Sequence, residues 1–558
     1  MLGDGFEIRS GGNHVIILPD QKKSGKHPND SYLITGEVRD AQSGKLISSV
    51  TVLELNGKQV ASSDGQGKFN IPLQGDPEFT RLLISKKNYR DTVITVSPAG
   101  GIHSVRLRAL PQIEELEPLD ASIPVEMENN GLFRTVVTEE QQLLSYNLPL
   151  YEQRLFQFSF LPVLGTNRNF SGLIENRISL NLLGGYSMGL RGFELGGLFN
   201  ITRQDVRGAQ IGGFMNITGA ELYGLQFAGF MNNNMGAIHG MQAAGFYNLS
   251  LDSLNGVQMA GFFNMARNRV RGLQTAGFLN ISGKELKGTQ LAGFINISGR
   301  DATGAQIAGF MNQATGDMKG IQASGFLNLS TGSMKGAQIS GGINVTVDTT
   351  YTVQIANLAN FAGHIYGAQI GLLNIAGKVT GSQIGLINYC DTVTGLPLGL
   401  ISIVKTGVHQ LEISSSDASS LIVALKTGTP RLYNVLSAGM FDVQNPSLAS
   451  FGYGVGAMTK QRRKIGFGAE LVVSAVFNES FKAGIVPDFW GRLSPSVSYR
   501  PVKWLSIFAG PVAHAYLIDV SNQSGPHPEN YIRDTYSFNA GSGSGSAWIG
   551  WQAGIRLF

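Results

Sequence analysis

A repeat of 16 residues occupies the middle of the chain and constrains its fold more than any other feature. Glycine recurs at this spacing without a slip from Gly192 to Gly336, and each glycine opens a unit such as Gly304–Asn312. In all but the first unit a glutamine follows two residues later, and an asparagine follows eight residues later. Beyond Gln354 the period falls to 15 and then 14 residues, so about 14 units fill residues 192–407. Such regularity is typical of folds in which each unit packs only against its neighbours.

Two β architectures can carry this repeat, because apolar residues alternate with Gln, Gly and Asn as they do in strands. In a β-solenoid, each unit is one coil stacked on the next at about 4.8 Å, so that equivalent residues form ladders. In an antiparallel barrel, each unit is one strand and a turn, which makes two units the natural period and gives unequal loops on the two sides. The sequence has no alternation between successive units.

The shortening of the later units gives a second criterion. Gln306 and Asn312 are six residues apart, whereas Gln369 and Asn374 are five apart. One residue deleted from a continuous strand turns every later side chain to the opposite face, although a bulge would rescue the register. A solenoid corner absorbs the deletion, and Ala308-Gly309 has the composition of such a corner. We therefore predict a solenoid, with the strands of one large barrel as the alternative.

The recurring amides predict side-chain ladders. Stacked Gln and Asn side chains satisfy one another's donors and acceptors, which makes a structural role the simpler interpretation. The same ladder could form a surface that binds a protein partner or a glycan. The ten side chains that we assign to this repeat ladder are Gln258, Asn264, Gln274, Asn280, Gln290, Asn296, Gln306, Asn312, Gln322 and Asn328.

Residues 408–558 have the alternation of an antiparallel barrel of the outer-membrane type. Small residues such as Gly452 and Gly454 alternate there with aromatic and aliphatic ones, as expected for a small or polar interior and an apolar exterior. Eight segments have strand length: Gln410–Ser416, Leu421–Lys426, Leu432–Phe441, Ser450–Met458, Ile465–Phe477, Leu493–Tyr499, Leu505–Leu517 and Trp548–Phe558.

Three further features belong to this barrel prediction. The last strand ends in Phe558, which resembles the signal by which outer-membrane barrels are recognised for insertion. Two earlier segments, Arg154–Leu164 and Arg177–Leu183, could add two strands to the barrel. The Gly- and Ser-rich segment Ser521–Ala547 is predicted to be a long flexible loop, which in such barrels normally faces outward.

Shorter segments precede the repeat. Residues 1–20 contain two short runs around a Gly-Gly-Asn turn, which predict a hairpin. Residues 32–108 contain about seven short runs separated by turn residues, which predict a small β-sandwich. Residues 109–150 are acidic and interrupted by proline, which predicts a solvated linker with one short helix near Glu139–Leu144. Residues 151–191 are then the strands that lead into the repeat.

Three parts of the chain each resemble a known family. Gly36–Asp40, Ser63–Phe69 and Ser85–Tyr89 resemble the carboxypeptidase regulatory-like (transthyretin-like) sandwich, which is typical of Bacteroidota outer-membrane proteins and lies there on the periplasmic side. The hairpin of residues 1–20 resembles the last part of the short N-terminal domain found in secretins and TonB-dependent receptors. The repeat resembles the Gly-x-Gln-x-Gly-x-x-Asn surface repeats of bacterial envelope proteins.

Composition excludes several classes of protein. Only 15% of residues are charged, and the 43 basic and 39 acidic residues form no dense basic run, which argues against nucleic-acid binding. The single cysteine, Cys390, excludes a disulfide framework and a cysteine-based zinc site. No stretch of about 20 apolar residues predicts a transmembrane helix.

Candidate chemistry is sparse. Gly185–Gly189 matches the Gly-x-Ser-x-Gly elbow around a Ser187 nucleophile, but the next residues enter the repeat instead of a helix, so we interpret it as a glycine-rich turn. The eight histidines lack the spacing of metal ligands. We assign no catalytic, cofactor-binding or metal-binding residue and expect no enzyme. Four carboxylates of the C-terminal region have no pattern and receive no role: Glu412, Asp417, Glu470 and Asp488.

The sequence thus predicts an all-β, non-enzymatic outer-membrane or cell-surface protein with a structural or interaction role. The barrel would anchor the chain in outer-membrane lipid, and the sandwich would lie in the periplasm. Periplasmic or surface proteins, or a glycan, are the expected partners; no nucleic acid and no cofactor is expected. The alternative is an outer-membrane channel or transport protein, in which repeat and C-terminal strands close one large barrel.

Overall fold

The structure is a computed structural model, and it describes residues 6–11, 14–19, 31–56, 59–74, 79–97, 102–110, 125–148, 151–442, 448–459, 464–478, 487–518, 535–540 and 543–558. The chain divides into two compact units, Met1–Gly293 and Phe294–Phe558. Strands account for 69% of residues and helices for 5%, which confirms the all-β class.

The first unit begins with two separate β elements. Strands Phe6–Gly11 and His14–Pro19 pair as an antiparallel hairpin. Seven further strands form a three-stranded and a four-stranded sheet, which share a core that includes Val38, Phe69 and Leu82. Their number and positions agree with the predicted sandwich. The seven strands are Ser31–Asp40, Thr51–Glu54, Val60–Ser62, Lys68–Gln74, Thr80–Ser85, Thr92–Val96 and His103–Leu107.

Three helices follow the sandwich: α1 (Val125–Glu128), α2 (Gly131–Val136) and α3 (Glu139–Asn147). The predicted helix near Glu139–Leu144 is confirmed as α3. It starts at a capping box, in which Thr138 accepts from the backbone of Gln141 and the Gln141 side chain accepts from the backbone of Thr138. Residues 111–124 and 149–150 of the predicted linker lie outside the described residues, and in the described part Phe133 and Leu144 are buried, so that part is not a solvated linker.

The helices join the sandwich to the first solenoid coils. Leu144 of α3 packs with Leu53 of the sandwich and with Leu173, which ends the 3₁₀ helix Arg168–Leu173. Met127 of α1 and Phe133 of α2 pack on a cluster of solenoid side chains that includes Tyr186, Ile201 and Ile217. This apolar cap covers side chains at the start of the solenoid that would otherwise face water.

The repeat forms a β-solenoid of about 14 turns. Each 16-residue coil has a seven-residue and a four-residue strand, and equivalent strands of successive coils pair in parallel, so that Gln306 lies opposite Gln322. In the first unit the strands are Glu152–Leu161, Leu164–Gly165, Ile174–Asn181, Gly184–Ser187, Gly189–Gly196, Phe199–Thr202, Val206–Gly212, Met215–Thr218, Leu222–Ala228, Met231–Asn234, Ile238–Ala244, Tyr247–Ser250, Leu254–Ala260, Phe263–Ala266, Val270–Ala276, Leu279–Ser282 and Leu286–Ala292.

The second unit continues the same pattern. Its solenoid strands are Ile295–Ser298, Ala302–Ala308, Met311–Ala314, Met318–Ser324, Leu327–Ser330, Met334–Ser340, Ile343–Thr350, Val353–Ala356, Ala359–Ile365, Ala368–Ile370, Leu373–Val379, Ser382–Val393 and Pro397–Val404. Parallel pairing rules out the large antiparallel barrel that was the alternative for the repeat.

The repeating glycine is required by the close stacking of coils. Gly320 has a φ of +131°, and a Cβ built on it would lie 2.0 Å from the carbonyl oxygen of Gly304. The equivalent glycines from Gly192 to Gly336 all have φ between +123° and +152°. An L-residue rarely adopts this conformation, and its side chain would strike the preceding coil.

The corner absorbs one of the two lost residues, as predicted, whereas the other is lost at a bulge in strand Ile343–Thr350, where the register with Ala359–Ile365 shifts. Ile355 pairs with Ile370 before the corner, and Ala359 pairs with Leu373 after it. Three residues lie between Ile355 and Ala359 in the longer coil, and two lie between Ile370 and Leu373 in the shorter coil. The missing residue therefore lies in the corner, and the strands on either side keep their facing.

The two segments proposed as extra barrel strands belong instead to the solenoid, so that prediction is wrong. Strand Glu152–Leu161 pairs in parallel with Ile174–Asn181, which pairs in parallel with Gly189–Gly196. Parallel partners at this spacing make them the first coils, and Arg154–Leu164 and Arg177–Leu183 fall within them.

Eight antiparallel strands close the C-terminal barrel. The first strand pairs with the last, with Leu411 opposite Leu557. The last strand also pairs with Tyr536–Ala540, so the end of the predicted loop Ser521–Ala547 is β structure, while residues 521–534 lie outside the described residues. The barrel strands are Val408–Ser416, Leu421–Thr429, Leu432–Met440, Leu448–Met458, Ile465–Asn478, Asp488–Val502, Leu505–Ile518 and Gly543–Leu557.

Candidate functional site

The barrel is apolar outside, and its interior combines polar and charged side chains with apolar clusters around Trp490 and Tyr433. Along the first strand, Gln410, Glu412 and Ser414 are buried, whereas Leu411 and Ile413 between them are exposed. The same alternation continues around the barrel. Its exposed apolar side chains include Val423, Leu425, Phe451, Phe467, Leu471, Val473, Phe489, Leu493, Val497, Ile507, Leu517, Ile549, Trp551 and Ile555. This distribution is the reverse of that in a water-soluble barrel and matches barrels whose outer wall contacts lipid.

Two acids and two bases meet in the lumen. The Lys426 ammonium contacts the Glu412 carboxylate and lies 2.5 Å from Oε1 of Glu470. Arg556 donates from Nε to Glu412 Oε2 at 2.8 Å, and the Tyr433 hydroxyl donates to Glu470 Oε1 at 2.7 Å. All of these side chains are buried, so their charges compensate one another in a region that water does not screen.

A second polar cluster surrounds Asp417, which directly follows the end of the first barrel strand at Ser416. Trp490 donates from Nε1 to Nδ1 of His514 at 3.1 Å, and His514 Nε2 lies 3.2 Å from Asp417 Oδ1. Asp417 also accepts from Trp548 Nε1 at 2.9 Å. Both ring nitrogens of His514 are thus engaged, so this histidine has no nitrogen left to act as a general base.

Side chains fill the lumen beside the charge cluster. A small void next to Glu470, Phe508 and Arg556 has no space for a water molecule. The Arg556 guanidinium lies 4.0 Å from the centre of the Phe508 ring. A filled interior is expected for a barrel of eight strands.

The solenoid interior is also polar, and it contains the ten predicted ladder amides, all fully buried. The Gln322 amide donates to Gln306 at 2.9 Å, and Asn312 donates to Asn328 at 2.9 Å and to the carbonyl oxygen of Ala323 at 2.7 Å. The amides therefore form the predicted ladders. Because they lie inside the coil, the outer surface of the solenoid consists of other side chains.

The two ladders donate in opposite directions along the stack. Each glutamine donates to the preceding coil, as Gln290 does to Gln274 at 2.8 Å, and each asparagine donates to the following coil, as Asn264 does to Asn280 at 3.0 Å. Within each row an amide both donates and accepts, and the glutamine row ends at Gln383, whose side-chain oxygen has no hydrogen-bond partner among the described residues. The two rows of amide dipoles oppose each other, which limits any net dipole along the solenoid.

Glu194 begins the glutamine ladder in the first unit. It occupies the glutamine position of the first coil and accepts from Gln210 at 2.7 Å and from Asn181 at 3.0 Å. Both neighbours donate toward this position, so a carboxylate can end the row without having to donate. Burial nevertheless raises the pKa of Glu194, and the hydrogen bonds from Gln210 and Asn181 offset only part of that effect.

The other sequence candidates do not assemble a reactive centre among the described residues. Ser187 ends a short buried strand, and its hydroxyl has no hydrogen-bond partner there. His239 stacks on Tyr223 at the solenoid edge. Burial raises the pKa of the Cys390 thiol to about 11, so the thiolate is scarce near neutral pH. Within the described ranges, no group of three or more His, Cys, Asp or Glu side chains is placed to hold a metal ion.

The sequence interpretation missed the charge cluster of the lumen, because it assigned Glu412 and Glu470 no role. A signal was present: both acids, and also Lys426 and Arg556, occupy the inward phase of their predicted strands. Charged residues in that phase must meet in the lumen once the barrel closes.

The part of the chain that the structure describes contains no helix long and apolar enough to cross a bilayer. The chain matches neither a protein-family model nor a curated protein.

Proposed function

We propose that this chain is a non-enzymatic outer-membrane protein, anchored by its C-terminal barrel and serving a structural or interaction role. The observation that carries the proposal is the distribution of side chains in the barrel, which has an apolar outer wall and compensated charges in its lumen. In water, this wall would expose a continuous apolar surface far larger than soluble monomers tolerate. In a bilayer, the same wall contacts acyl chains, and the closed sheet satisfies its backbone groups.

The connections between barrel strands support an orientation. At one end the strands are joined by residues 430–431, 459–464 and 503–504, and at the other by the longer stretches 441–447, 479–487 and 519–542, with 417–420 the short exception. Outer-membrane barrels have short periplasmic turns and longer external loops. The solenoid enters the barrel at the short-turn end, through Val408. This topology favours a periplasmic location for the part of the chain before the barrel, including the sandwich.

The filled lumen favours an anchor over a channel. The repeat strands form a solenoid and take no part in the barrel wall, so the large barrel assumed by the channel alternative is not formed. The interior of a barrel of eight strands is just wide enough for side chains to fill. We expect no stable conductance from the purified protein in planar bilayers, and a reproducible open channel would contradict the anchor role.

The test places a charge on the proposed lipid-facing wall. Leu471 lies near the middle of its strand and is 53% exposed, between the inward-facing Glu470 and Val472. Leu471→Arg should lower the free energy of unfolding from lipid vesicles by about 2–4 kcal/mol and reduce the amount of folded protein in the outer-membrane fraction of a Gram-negative host.

The matched control is Leu33→Arg on the sandwich, where the leucine is 58% exposed. If the sandwich lies in water, this change should alter stability by less than about 0.5 kcal/mol. Equal behaviour of the two variants, or folded wild-type protein that stays in the soluble fraction, would refute the membrane anchor.

A further inference from the structure

The charges of the repeat are confined to one edge of the solenoid. Each 16-residue unit between residues 192 and 351 has eleven positions, equivalent to Gly304–Ala314, that contain no lysine, arginine or aspartate, and the one glutamate among them is the buried Glu194. Every other charged residue of these units falls in the remaining five positions. Those five positions form the edge opposite the corner at Gly309-Phe310.

The faces and the corner are apolar on their outer side. In the second unit, Ile307 and Phe310 are 46% and 38% exposed, and Ile321, Phe326 and Ile339 are exposed as well. The corner phenylalanines stack on one another, with 4.8 Å between the ring centres of Phe294 and Phe310. A stack of coils therefore presents apolar outer faces and an apolar corner, with its charges along the opposite edge. Its interior contains the amide ladders and a row of buried apolar side chains that includes Met318 and Met334.

The backbone N–H groups of the corner phenylalanines are paired within the protein. The N–H of Phe310 donates to the carbonyl oxygen of Phe294, and that of Phe326 donates to Phe310, each at 3.1 Å. Turns at membrane depth are tolerated only where such groups are satisfied within the protein. These N–H groups meet this requirement, because each donates to the corner of the coil before it.

The apolar positions of a coil, about 20 Å long, exceed the hydrocarbon layer of one leaflet by about 5 Å. Positions 304–310 of a coil span about 20 Å at 3.3 Å per residue in extended conformation. The hydrocarbon layer of a bilayer is about 30 Å thick, so one leaflet contributes about 15 Å. Tyr351 and Tyr366 stack on each other at the charged edge, where amphipathic aromatic residues are typical of a membrane–water interface.

The last coil lies against the outer wall of the barrel. Tyr453, in the middle of its strand and on the outward face, donates its hydroxyl to the carbonyl oxygen of Gly399 at 2.8 Å. Gly399 lies in the last solenoid strand, opposite Gly385 of the preceding coil. The backbone N–H of Ser402 donates to Thr427 Oγ1 at 3.2 Å, closer to the short-turn end. The last coil thus meets the barrel at mid-height.

The charged edge of the last coils lies at the short-turn end of the barrel. Lys405 pairs with Asp391 of the preceding coil, just before the chain enters the first barrel strand. A cleft beside it is lined by Thr406, Arg431 and Arg500. Guanidinium groups at this level are suited to phosphate oxygens of lipid headgroups.

We propose that the solenoid coils of the second unit, residues 294–404, lie edge-on in the lipid leaflet on the short-turn side of the barrel. Their apolar corner points to the centre of the bilayer, and their charged edge lies among the headgroups. The acyl chains of that leaflet cover the apolar faces of the coils. This inference rests on the membrane anchor proposed above and assigns the solenoid a lipid-embedded position that does not span the bilayer.

The test measures depth with a fluorescent label. Full-length protein with Cys390→Ala is reconstituted in dioleoylphosphatidylcholine vesicles that contain dibrominated phosphatidylcholine. An NBD label is attached to one cysteine at a time: Phe310→Cys at the corner, Lys319→Cys at the charged edge and Leu471→Cys on the barrel wall. Heat-modifiable migration in gels verifies that each variant has folded.

We expect bromolipid to quench the label at Phe310→Cys about as strongly as that at Leu471→Cys, and several-fold more strongly than that at Lys319→Cys. Aqueous iodide should show the opposite order. If iodide quenches the corner label while Leu471→Cys remains in lipid, the solenoid lies outside the bilayer and this inference alone is refuted. Protection of the corner from both quenchers would mean that protein covers it, which also overturns the proposal. If iodide also quenches the label at Leu471→Cys, the membrane anchor is refuted together with this inference.

Discussion

The barrel lumen and the solenoid interior both bury polar side chains, but they satisfy these side chains in different ways. In both, the polar side chains lie beside apolar ones, beneath apolar outer surfaces. The lumen uses full charges, with Lys426 and Arg556 set against Glu412 and Glu470. The solenoid uses neutral amides, repeated in every coil.

The difference follows from symmetry. Coils related by translation place identical side chains about 4.8 Å apart, so a charge at a repeated interior position would face like charges above and below it. An amide both donates and accepts and can therefore stack on a copy of itself. Neighbouring barrel strands differ in sequence, so an acid can be set opposite a base.

The largest effect is expected in the lumen. Lys426→Met removes the ammonium between Glu412 and Glu470 and leaves their carboxylates only partly compensated, which should lower the free energy of unfolding by about 3–5 kcal/mol. Urea titration in lipid vesicles measures the change. Lys405→Met is the control, because Lys405 is 71% exposed and its pairing with Asp391 is long, at 3.9 Å. Similar losses in both variants would show that the lumen network is not specially sensitive to charge.

The next effect concerns the stacking of coils. Gly320→Ala places a methyl group against the carbonyl oxygen of Gly304 and forces alanine to a φ of +131°, so it should cost about 3 kcal/mol. Gly65→Ala in the sandwich has no atom within 4 Å of the new methyl group and should be nearly neutral. Thermal unfolding followed by circular dichroism compares the two; a tolerated Gly320→Ala would contradict the proposed spacing of the coils.

A single break in the asparagine ladder should have a smaller effect. Asn312→Ala leaves the carbonyl oxygens of Asn328 and Ala323 without their amide donor, at a cost of about 1–3 kcal/mol. The neighbouring Gln313 projects from the other face of the strand, and Gln313→Ala should change stability by less than about 0.5 kcal/mol. Chemical denaturation of both variants tests the ladder, and equal stability would remove its structural role.

The smallest effect is a pH dependence at the start of the glutamine ladder. Burial raises the pKa of Glu194 above its ordinary value of 4.5, so folding favours its protonated form. The associated stability is present below pH 4.5 and is lost as pH rises through the pKa of the folded state, at no more than about 1.4 kcal/mol per pH unit. Glu194→Gln should flatten this part of a stability–pH profile, and an unchanged profile would contradict the assignment.

Local pattern was sufficient to predict much of this protein. The spacing of Gln306 and Asn312, and its change at Gln369, predicted coils and placed the deletion in a corner. The alternation of glycine and aromatic residues around Gly452 predicted the barrel strands. The assignment of Arg154–Leu164 to the barrel failed because an isolated alternating strand contains no information about whether its partner is parallel.

The sequence by itself determined the elements, their periods and the residues that face inward, because these depend on the two-residue period of strands and on the 16-residue repeat. Only the tertiary structure decided which inward residues meet. Glu412 and Arg556 are separated by most of the barrel in sequence, and closure brings them to 2.8 Å. It also decided that the last solenoid coil meets the barrel at mid-height, since that contact depends on where the chain turns from one fold into the other.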